Sequence, residues 1–289
     1  MPLIIEIQKL THCFADGTIG LADVTLAIEE GAFVVIAGAN GSGKTTLLRH
    51  LNGLLLPTSG TVRVAGVSVA DDPRRARMRV GMIFQDADSQ IVGETVHDDV
   101  AFGPENLRLS RPEVGRRVDG ALAAVGLAEL AGRRPHRLSG GEKRRLSIAG
   151  ILAMQPRVIV FDEPFANLDY PGVRQVLGQM VALHRSGQTI LLTTHDLDKV
   201  LAHADRLVIM QHGRIVADGL PAAVVSEAET FDVRSPQAAQ REPDLHRPRD
   251  RGATRERGAR RRPRLAPNRR RRRRSNQARG RSPLAGRRV

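Results

Sequence analysis

The sequence has little cysteine and few aromatic residues. Its 289 residues include one cysteine, one tyrosine and no tryptophan. The single cysteine, Cys13, excludes a disulfide framework within the chain and fits a reducing compartment. No apolar run approaches the roughly 20 residues of a membrane-spanning helix, and the first residues lack the pattern of a signal peptide. We therefore expect this chain to act at a membrane only if a partner recruits it.

Basic charge is concentrated at one end of the chain. The formal net charge is +14, but residues 241–289 hold 20 of the 45 basic residues and 4 of the 31 acidic ones. That segment therefore carries +16, and residues 1–240 carry −2. Because the main part of the chain is nearly neutral, it offers no basic patch, and we expect no specific nucleic-acid partner.

The segment 236–289 is predicted to be a disordered, Arg-rich tail. It consists mainly of Arg, Pro, Gly and Ala without apolar periodicity, so it cannot bury enough surface to offset the entropy of ordering. One interpretation is that the arginines at 269–274 bind anionic lipid head groups or nucleic acid. The other, which we favour, is that the tail has no function, since a GC-rich gene read in an unintended frame produces such a mixture.

Strand patterns alternate with helical patterns through residues 1–235, which predicts one α/β domain. The runs 33–37, 158–161 and 189–193 are short, apolar and rich in β-branched residues, as in the buried strands of a mostly parallel sheet. Residues 95–150 instead place apolar residues at helical spacing, so we expect a helical subdomain inserted there. Further strands are expected at 3–7, 24–28, 61–64 and 80–84, and a final hairpin at 207–210 and 214–216.

The first candidate site is a Gly-rich loop, Gly-Ala-Asn-Gly-Ser-Gly-Lys-Thr, at residues 38–45. Its glycines let the backbone wrap anionic oxygens, and the free N–H groups of the following helix start favour negative charge. Lys44 adds a positive charge for the β- and γ-phosphates, and the Thr45 hydroxyl can ligate Mg²⁺. A chance glycine turn is the alternative, but the loop follows a predicted strand and opens a predicted helix. The predicted nucleotide contacts are Asn40, Gly41, Ser42, Gly43, Lys44, Thr45 and Thr46.

Two adjacent carboxylates, Asp162 and Glu163, end a predicted buried strand and form the second candidate site. Carboxylates in such a place are costly unless they have a partner. We predict that Asp162 holds Mg²⁺, directly or through water, and that Glu163 polarises an attacking water. Alone, Asp-Glu-Pro could simply begin a turn; together with the Gly-rich loop, it indicates hydrolysis of a nucleoside triphosphate.

The third candidate site is the segment Leu-Ser-Gly-Gly-Glu-Lys-Arg-Arg at 138–145. Ser139 is expected to cap a helix, with Glu142 completing a capping box. The glycines Gly140 and Gly141 would also permit close approach of a phosphate at that helix start. A cap alone is the simpler interpretation, because an enzyme with one nucleotide does not need a second phosphate-binding helix start.

With these three sites in this order, residues 3–225 resemble ATP-binding-cassette (ABC) ATPases. The resemblance implies a P-loop NTPase fold, with a RecA-like core, an antiparallel β subdomain and the inserted helical subdomain. It also implies a head-to-tail dimer, in which Ser139, Gly140 and Gly141 of one subunit close over the ATP held by the Gly-rich loop of the other. A homodimer is expected.

The resemblance assigns roles to four further residues. Gln85 matches the glutamine that senses Mg²⁺ and the transporter interface, and His195 matches the switch histidine that contacts the γ-phosphate. Asp169 matches the loop that links the two active sites. Phe14 lies where the family usually places an aromatic that stacks on adenine, although a Tyr-Pro pair is commoner there. Without the resemblance, His195 would be read as a surface helix cap and Phe14 as a core residue.

The stretch 80–109, including Asp-Ser-Gln-Ile at 88–91 and Asp-Val-Ala-Phe-Gly-Pro-Glu-Asn at 99–106, resembles the ATPases of energy-coupling-factor (ECF) importers. That branch implies an integral membrane coupling protein, a substrate-binding membrane protein and a peripheral position on the cytoplasmic face of the inner membrane. Biotin is the favoured substrate and cobalt the next. The alternatives are the ATPase of another ABC importer, or a soluble ABC ATPase of DNA repair or translation, whose coiled-coil insertion or second cassette is not found here.

Overall fold

A six-stranded sheet forms the centre of the computed structural model, in which residues 2–234 are described. Five neighbouring strands run parallel, and one edge strand pairs antiparallel. This mostly parallel arrangement confirms the predicted α/β class. In spatial order the strands are β10 (Arg214–Gly219), β9 (Arg206–Gln211), β3 (Phe33–Ala37), β8 (Thr189–Thr194), β7 (Val158–Asp162) and β6 (Val80–Ile83).

A second, antiparallel sheet is formed by strands of the first seventy residues. In the order β2 (Ile19–Glu29), β1 (Leu3–Cys13), β4 (Ser59–Val64) and β5 (Val67–Ser68), each strand pairs with the next. β1 and β2 are longer than the predicted runs 3–7 and 24–28, and their pairing passes through several register shifts. β1 pairs with β2 on one side and with β4 on the other. These pairings keep its polar residues in the strand, although the local sequence pattern there does not predict a strand.

Seven α-helices accompany the sheets in the described residues, with short 3₁₀ turns between them. The region expected to be helical, 95–150, includes two whole helices and most of a third. The helices are α1 (Lys44–Leu51), α2 (Pro73–Arg79), α3 (Val96–Asn106), α4 (Arg111–Ala124), α5 (Gly140–Ala153), α6 (Tyr170–Arg185) and α7 (Pro221–Val224). The 3₁₀ turns are Asp88–Gln90, Ala128–Leu130, Pro135–Arg137, Leu197–Lys199, Leu201–His203 and Val225–Phe231.

The core lies on both faces of the six-stranded sheet. Alternate residues of β3 point to opposite sides, so Phe33 and Val35 join the apolar cluster with the helices α3 to α6. Val34 and Ile36 instead join the cluster with β1, β2 and α1. A parallel sheet that is covered on both faces needs strands that are apolar throughout, which explains the unbroken apolar run in β3.

Among residues 2–234, no helix has both the length and the apolar character needed to cross a bilayer. The predicted tail at 236–289 lies outside the described residues.

Candidate functional site

Four neighbouring parallel strands end at the same edge of the central sheet. The residues that follow β3, β8, β7 and β6 are Gly38, His195, Glu163 and, one residue further on, Gln85. In an open α/β sheet, ligands bind outside the carboxyl ends of the strands. Candidate residues that are more than 150 positions apart in sequence are therefore brought together by the parallel order of the strands.

The side chain of Lys44 is buried within the Gly-rich loop. Its ammonium group donates hydrogen bonds to the carbonyls of Gly38, at 2.7 Å, and Ala39, at 3.0 Å. Burial lowers the pKa of Lys44, while the charges of Glu163 and Asp162 oppose that shift. Lys44 is therefore a cation held at the start of α1, where the helix N-terminus adds further positive potential.

Two glycines let the Gly-rich loop pack closely against β2. Gly43 has φ of +103°, a conformation that other residues rarely adopt, and a Cβ there would lie 3.0 Å from the carbonyl oxygen of Gly20. A Cβ on Gly20 would lie 2.6 Å from the ring of Phe14. Glycine at these positions therefore leaves room for the loop and for the ring of Phe14 at the same cleft.

Asp162 lies at the centre of a buried hydrogen-bond network. Its carboxylate accepts a hydrogen bond from the Thr193 hydroxyl, at 2.7 Å, and bonds from the Thr45 hydroxyl, at 2.9 and 3.1 Å. Asp162 is 5% exposed, so these partners offset the cost of burying its charge. The network fixes the carboxylate beside Thr45, the hydroxyl that the sequence predicts to ligate Mg²⁺.

Glu163 lies between a lysine and a histidine. Each of its carboxylate oxygens is 3.1 Å from Nδ1 of His195, and Oε1 is 4.0 Å from Nζ of Lys44. The backbone of Glu163 has φ of +46°, and its N–H donates to the hydroxyl and carbonyl of Thr193. Left-handed backbone at a non-glycine residue is uncommon and clusters at active sites. Here it turns the chain sharply after β7.

A cleft of about 450 Å³ contains most of the predicted nucleotide contacts. Gln85 and Glu163 line it together with the Gly-rich loop, and so does Phe14, which is 39% exposed. The predicted residues that line it are Phe14, Asn40, Gly41, Ser42, Gly43, Lys44, Thr45, Thr46, Gln85 and Glu163. Asp162 and His195 contact residues of this lining without lining the cleft themselves.

The structure adds cleft residues that the sequence analysis missed. Thr18, Ile19, Gly20, His212 and Gly213 also line the cleft. The turn containing His212 and Gly213 reaches it because β9 pairs with β3, a pairing that the sequence alone does not reveal. Thr193 was also missed, although a polar residue near the end of an apolar strand, two positions before His195, was a usable signal.

The segment at 138–145 lies apart from this cleft. Ser139 accepts a hydrogen bond from the N–H of Glu142, and the Glu142 carboxylate accepts one from the N–H of Ser139, so the predicted capping box is confirmed. Gly140 lines a separate cavity of about 270 Å³, which it shares with Gln85. Ser139, Gly140 and Gly141 are therefore not brought together with Lys44 in one chain. This separation is what the head-to-tail dimer implied by the resemblance requires.

The residues of the cleft fit a magnesium nucleotide. Within the described part of the chain, no cluster of three or more His, Cys, Asp or Glu side chains could hold a metal ion by itself. Mg²⁺ usually takes one or two carboxylates and completes its shell with waters and phosphate oxygens. A hydroxyl and a carboxylate in contact, Thr45 and Asp162, match that limited donor set.

The sequence is similar to those of known transporter proteins. A family model described as ABC transporter matches residues 21–166. An energy-coupling factor transporter ATP-binding protein of Methanocaldococcus jannaschii is 43% identical over 242 residues, covering 82% of this chain and 87% of that protein. A cobalt import ATP-binding protein of Rhodobacter capsulatus is 44% identical over 234 residues, covering 80% of this chain and 84% of that protein.

Solved structures are similar in fold as well. The structure of cbiO1 from Clostridium perfringens, described as part of the ABC transporter complex cbiONQ, matches with a TM-score of 0.74 and 34% identity. The match covers 83% of this chain and 98% of the cbiO1 chain. A dimeric ATP-binding cassette in a post-hydrolysis state, bound to ADP and Pi, matches with a TM-score of 0.67 and 26% identity, covering 75% and 99% of the two chains.

Proposed function

The chain belongs to the ABC transporter family, and from that premise we propose that it binds and hydrolyses ATP to energise an ECF-type importer. One observation carries the proposal: Lys44 and Thr45 open α1 directly opposite Asp162 and Glu163. A cation at a helix start facing two carboxylates is suited to hold a triphosphate and to act on its last phosphate.

The residues of the cleft divide the work of ATP hydrolysis. Phe14 stacks on the adenine, and Lys44 binds the β- and γ-phosphates together with the backbone N–H groups of the Gly-rich loop. Glu163 orients a water and accepts its proton as the water oxygen attacks the γ-phosphorus and the bond to the β-phosphate oxygen breaks. His195, which contacts Glu163 at 3.1 Å, contacts the γ-phosphate and positions that carboxylate.

Thr45, Asp162 and Gln85 are the residues that would hold Mg²⁺. The ion neutralises charge on the phosphates when bound. Asp162 is already fixed beside the Thr45 hydroxyl, at 2.9 Å, so the chain presents these two oxygens together. Gln85 lines the same cleft from the end of β6.

The separation of the segment 138–145 from the cleft supports a dimer. In the proposed dimer, Ser139, Gly140 and Gly141 of one subunit complete the nucleotide site of the other, and a second copy of this chain is the expected partner. The dimer would associate with an integral coupling protein and a substrate-binding membrane protein on the cytoplasmic face of the inner membrane. Its transported substrate would be a vitamin or a transition-metal ion. Biotin, favoured from the sequence, and cobalt, which appears in the name of the Rhodobacter capsulatus relative, are the two to compare.

The test is affinity purification of the full chain from membranes, followed by identification of bound integral proteins and uptake assays with labelled biotin and cobalt. We expect two membrane proteins to co-purify and uptake of one substrate to require ATP. Glu163→Gln should retain the membrane proteins and lose uptake. ATP hydrolysis without any integral membrane partner would contradict the importer proposal and favour a soluble ABC ATPase.

A further inference from the structure

Arg144 is a buried cation between the segment 138–145 and the segment that follows β6. It lies in the second turn of α5 and is 2% exposed. Burial lowers the pKa of its guanidinium group, and the charge of Asp86 opposes that shift. Within the described residues no carboxylate lies within 4.0 Å of it, and its Nε has no hydrogen-bond partner. Burial of a guanidinium without an ion-pair partner is costly, so its hydrogen bonds must offset that cost.

The two terminal nitrogens of Arg144 donate hydrogen bonds to consecutive backbone carbonyls, those of Phe84 and Gln85. Phe84 and Gln85 come directly after β6, which is an edge strand of the sheet and pairs, among the described residues, with β7 alone. The guanidinium group is planar and presents its donors in a fixed fork. It can therefore fix the direction of the chain at Gln85. An ammonium group does this less well, because its three N–H donors share one nitrogen.

Two further side chains hold the same segment. Lys143, the residue before Arg144, forms an ion pair with Asp88 at 2.6 Å. The side-chain amide of Gln90 donates to the carbonyl of Met82, at 3.1 Å, and accepts from the N–H of Phe84, at 3.3 Å. Residues 84–90, here called the Gln85 segment, are thus bonded to β6 through the side chain of Gln90. They are bonded to the start of α5 through the side chains of Lys143 and Arg144.

Gln85 lines two cavities. One is the cleft of the Gly-rich loop, and the other is the cavity of about 270 Å³ that Gln85 shares with Gly140 and Arg144. The Gln85 segment is therefore in contact with the candidate nucleotide site on one side and with the start of α5 on the other. The guanidinium of Arg144 is the contact that joins the carbonyl of Gln85 to α5.

We propose that Arg144 is a positioning residue that couples the nucleotide cleft of one subunit, sensed at Gln85, to the segment 138–145 that closes over the partner's nucleotide. The inference rests on the proposed function, because it requires ATP-dependent closure of a dimer. It predicts a specific separation: loss of Arg144 weakens closure of the dimer while leaving the affinity of the Gly-rich loop for ATP intact.

Arg145 offers a matched control on the same helix. Its guanidinium also contacts two consecutive backbone carbonyls, those of Val125, at 3.0 Å, and Gly126, at 3.5 Å. These carbonyls follow α4 and lie in the helical region, so Arg145 makes no link to the Gln85 segment. Arg144→Met and Arg145→Met therefore remove similar groups from adjacent positions, and only the first removes the proposed link.

The experiment uses the full chain carrying Glu163→Gln, which prevents turnover during the measurement. ATP affinity is measured by equilibrium titration with a fluorescent ATP analogue at a protein concentration at which the chain stays monomeric, because closure of the dimer itself raises the apparent affinity. Dimerisation is measured by sedimentation with and without ATP. We expect Arg144→Met to weaken ATP-dependent dimerisation about tenfold and to change ATP affinity less than about twofold. Arg145→Met also removes a guanidinium from the segment 138–145 but not the contact with Gln85, so it should weaken dimerisation clearly less than Arg144→Met does. Arg144→Lys, which keeps the charge without the fork, should fall between Arg144→Met and the parent chain.

The possible failures are distinguishable. Equal dimerisation of the Arg144→Met and Arg145→Met chains would overturn the coupling role, and so would a parallel loss of ATP affinity in Arg144→Met. If Arg144→Met does not fold, Arg144→Lys decides, and dimerisation equal to that of the parent chain would overturn the proposal. If the chain with Glu163→Gln alone neither binds ATP nor dimerises, the proposed function itself is wrong.

Discussion

Replacing Glu163 by glutamine separates the chemistry of the cleft from its binding. The amide has nearly the same shape as the carboxylate, and its oxygen can keep one of the two 3.1 Å contacts to Nδ1 of His195. The left-handed backbone, φ of +46°, and the hydrogen bonds of the Glu163 N–H to Thr193 do not depend on the side chain. The substitution therefore removes the base and a negative charge and leaves the local fold in place.

The size of the effect follows from the role of the carboxylate. A positioned general base contributes about 10²- to 10⁴-fold to a rate, which corresponds to about 2.7 to 5.5 kcal/mol of activation free energy. We expect the turnover of Glu163→Gln to fall by that factor. ATP affinity should not weaken, because Nζ of Lys44 loses a carboxylate at 4.0 Å that competes with the phosphates for its charge.

Phosphate release measures the turnover, and equilibrium titration with a fluorescent ATP analogue measures the affinity. Glu129→Gln is the control, since it makes the same chemical change at an exposed residue of the helical region, away from the cleft. Normal turnover in Glu163→Gln would show that another group activates the water. A loss of affinity as large as the loss of turnover would show instead that the carboxylate holds the site together.

Three further predictions concern binding and stability. Lys44→Ala should weaken ATP binding about 10- to 100-fold in a titration, since charge-assisted hydrogen bonds are worth about 1.5 to 3 kcal/mol; unchanged binding would remove Lys44 from the phosphate site. Phe14→Ala should weaken binding about tenfold and Phe14→Tyr little, because base–aromatic stacking contributes about 1 to 3 kcal/mol. Burial lowers the pKa of His50 in the folded state, and the neighbouring charge of His12 lowers it to a smaller extent. The unfolded chain therefore binds more protons below about pH 6.5, and the free energy of unfolding should fall as the pH drops from 7.5 to 5.5, less steeply in His50→Gln, as measured by urea unfolding.

The sequence was most informative where one local pattern fixes one local structure. The strand, glycine loop and helix around Lys44 could be predicted because glycines, an apolar run and a helix start follow each other directly. The capping box of Ser139 and Glu142 is also local, since both hydrogen bonds join residues three positions apart. Roles such as those of Gln85 and His195 came from resemblance, and the structure places both residues at strand ends beside the cleft.

The contacts that could not be predicted from the sequence depend on which strands are neighbours in the sheet. The contribution of His212 to the cleft requires β9 to lie beside β3, and the contact of Arg144 with the carbonyl of Phe84 joins residues 60 positions apart. Apolar periodicity reveals the face of a strand but not its partner. Thr193 could have been noticed as a polar residue at the end of an apolar strand, but its hydrogen bond to Asp162 on the neighbouring strand could not be predicted.

The two adjacent carboxylates, Asp162 and Glu163, have different partners in the structure. Asp162 accepts three hydrogen-bond contacts from two threonine hydroxyls and is fixed, whereas Glu163 faces Lys44 and the exposed ring of His195. A carboxylate that accepts neutral hydrogen bonds keeps its negative charge available for a cation, which suits Asp162 to Mg²⁺. Glu163 instead lies between Lys44 and His195 and lines the cleft, where we propose that it orients the water. The carboxylates are consecutive in sequence, and the sharp turn at Glu163 is what gives them separate partners.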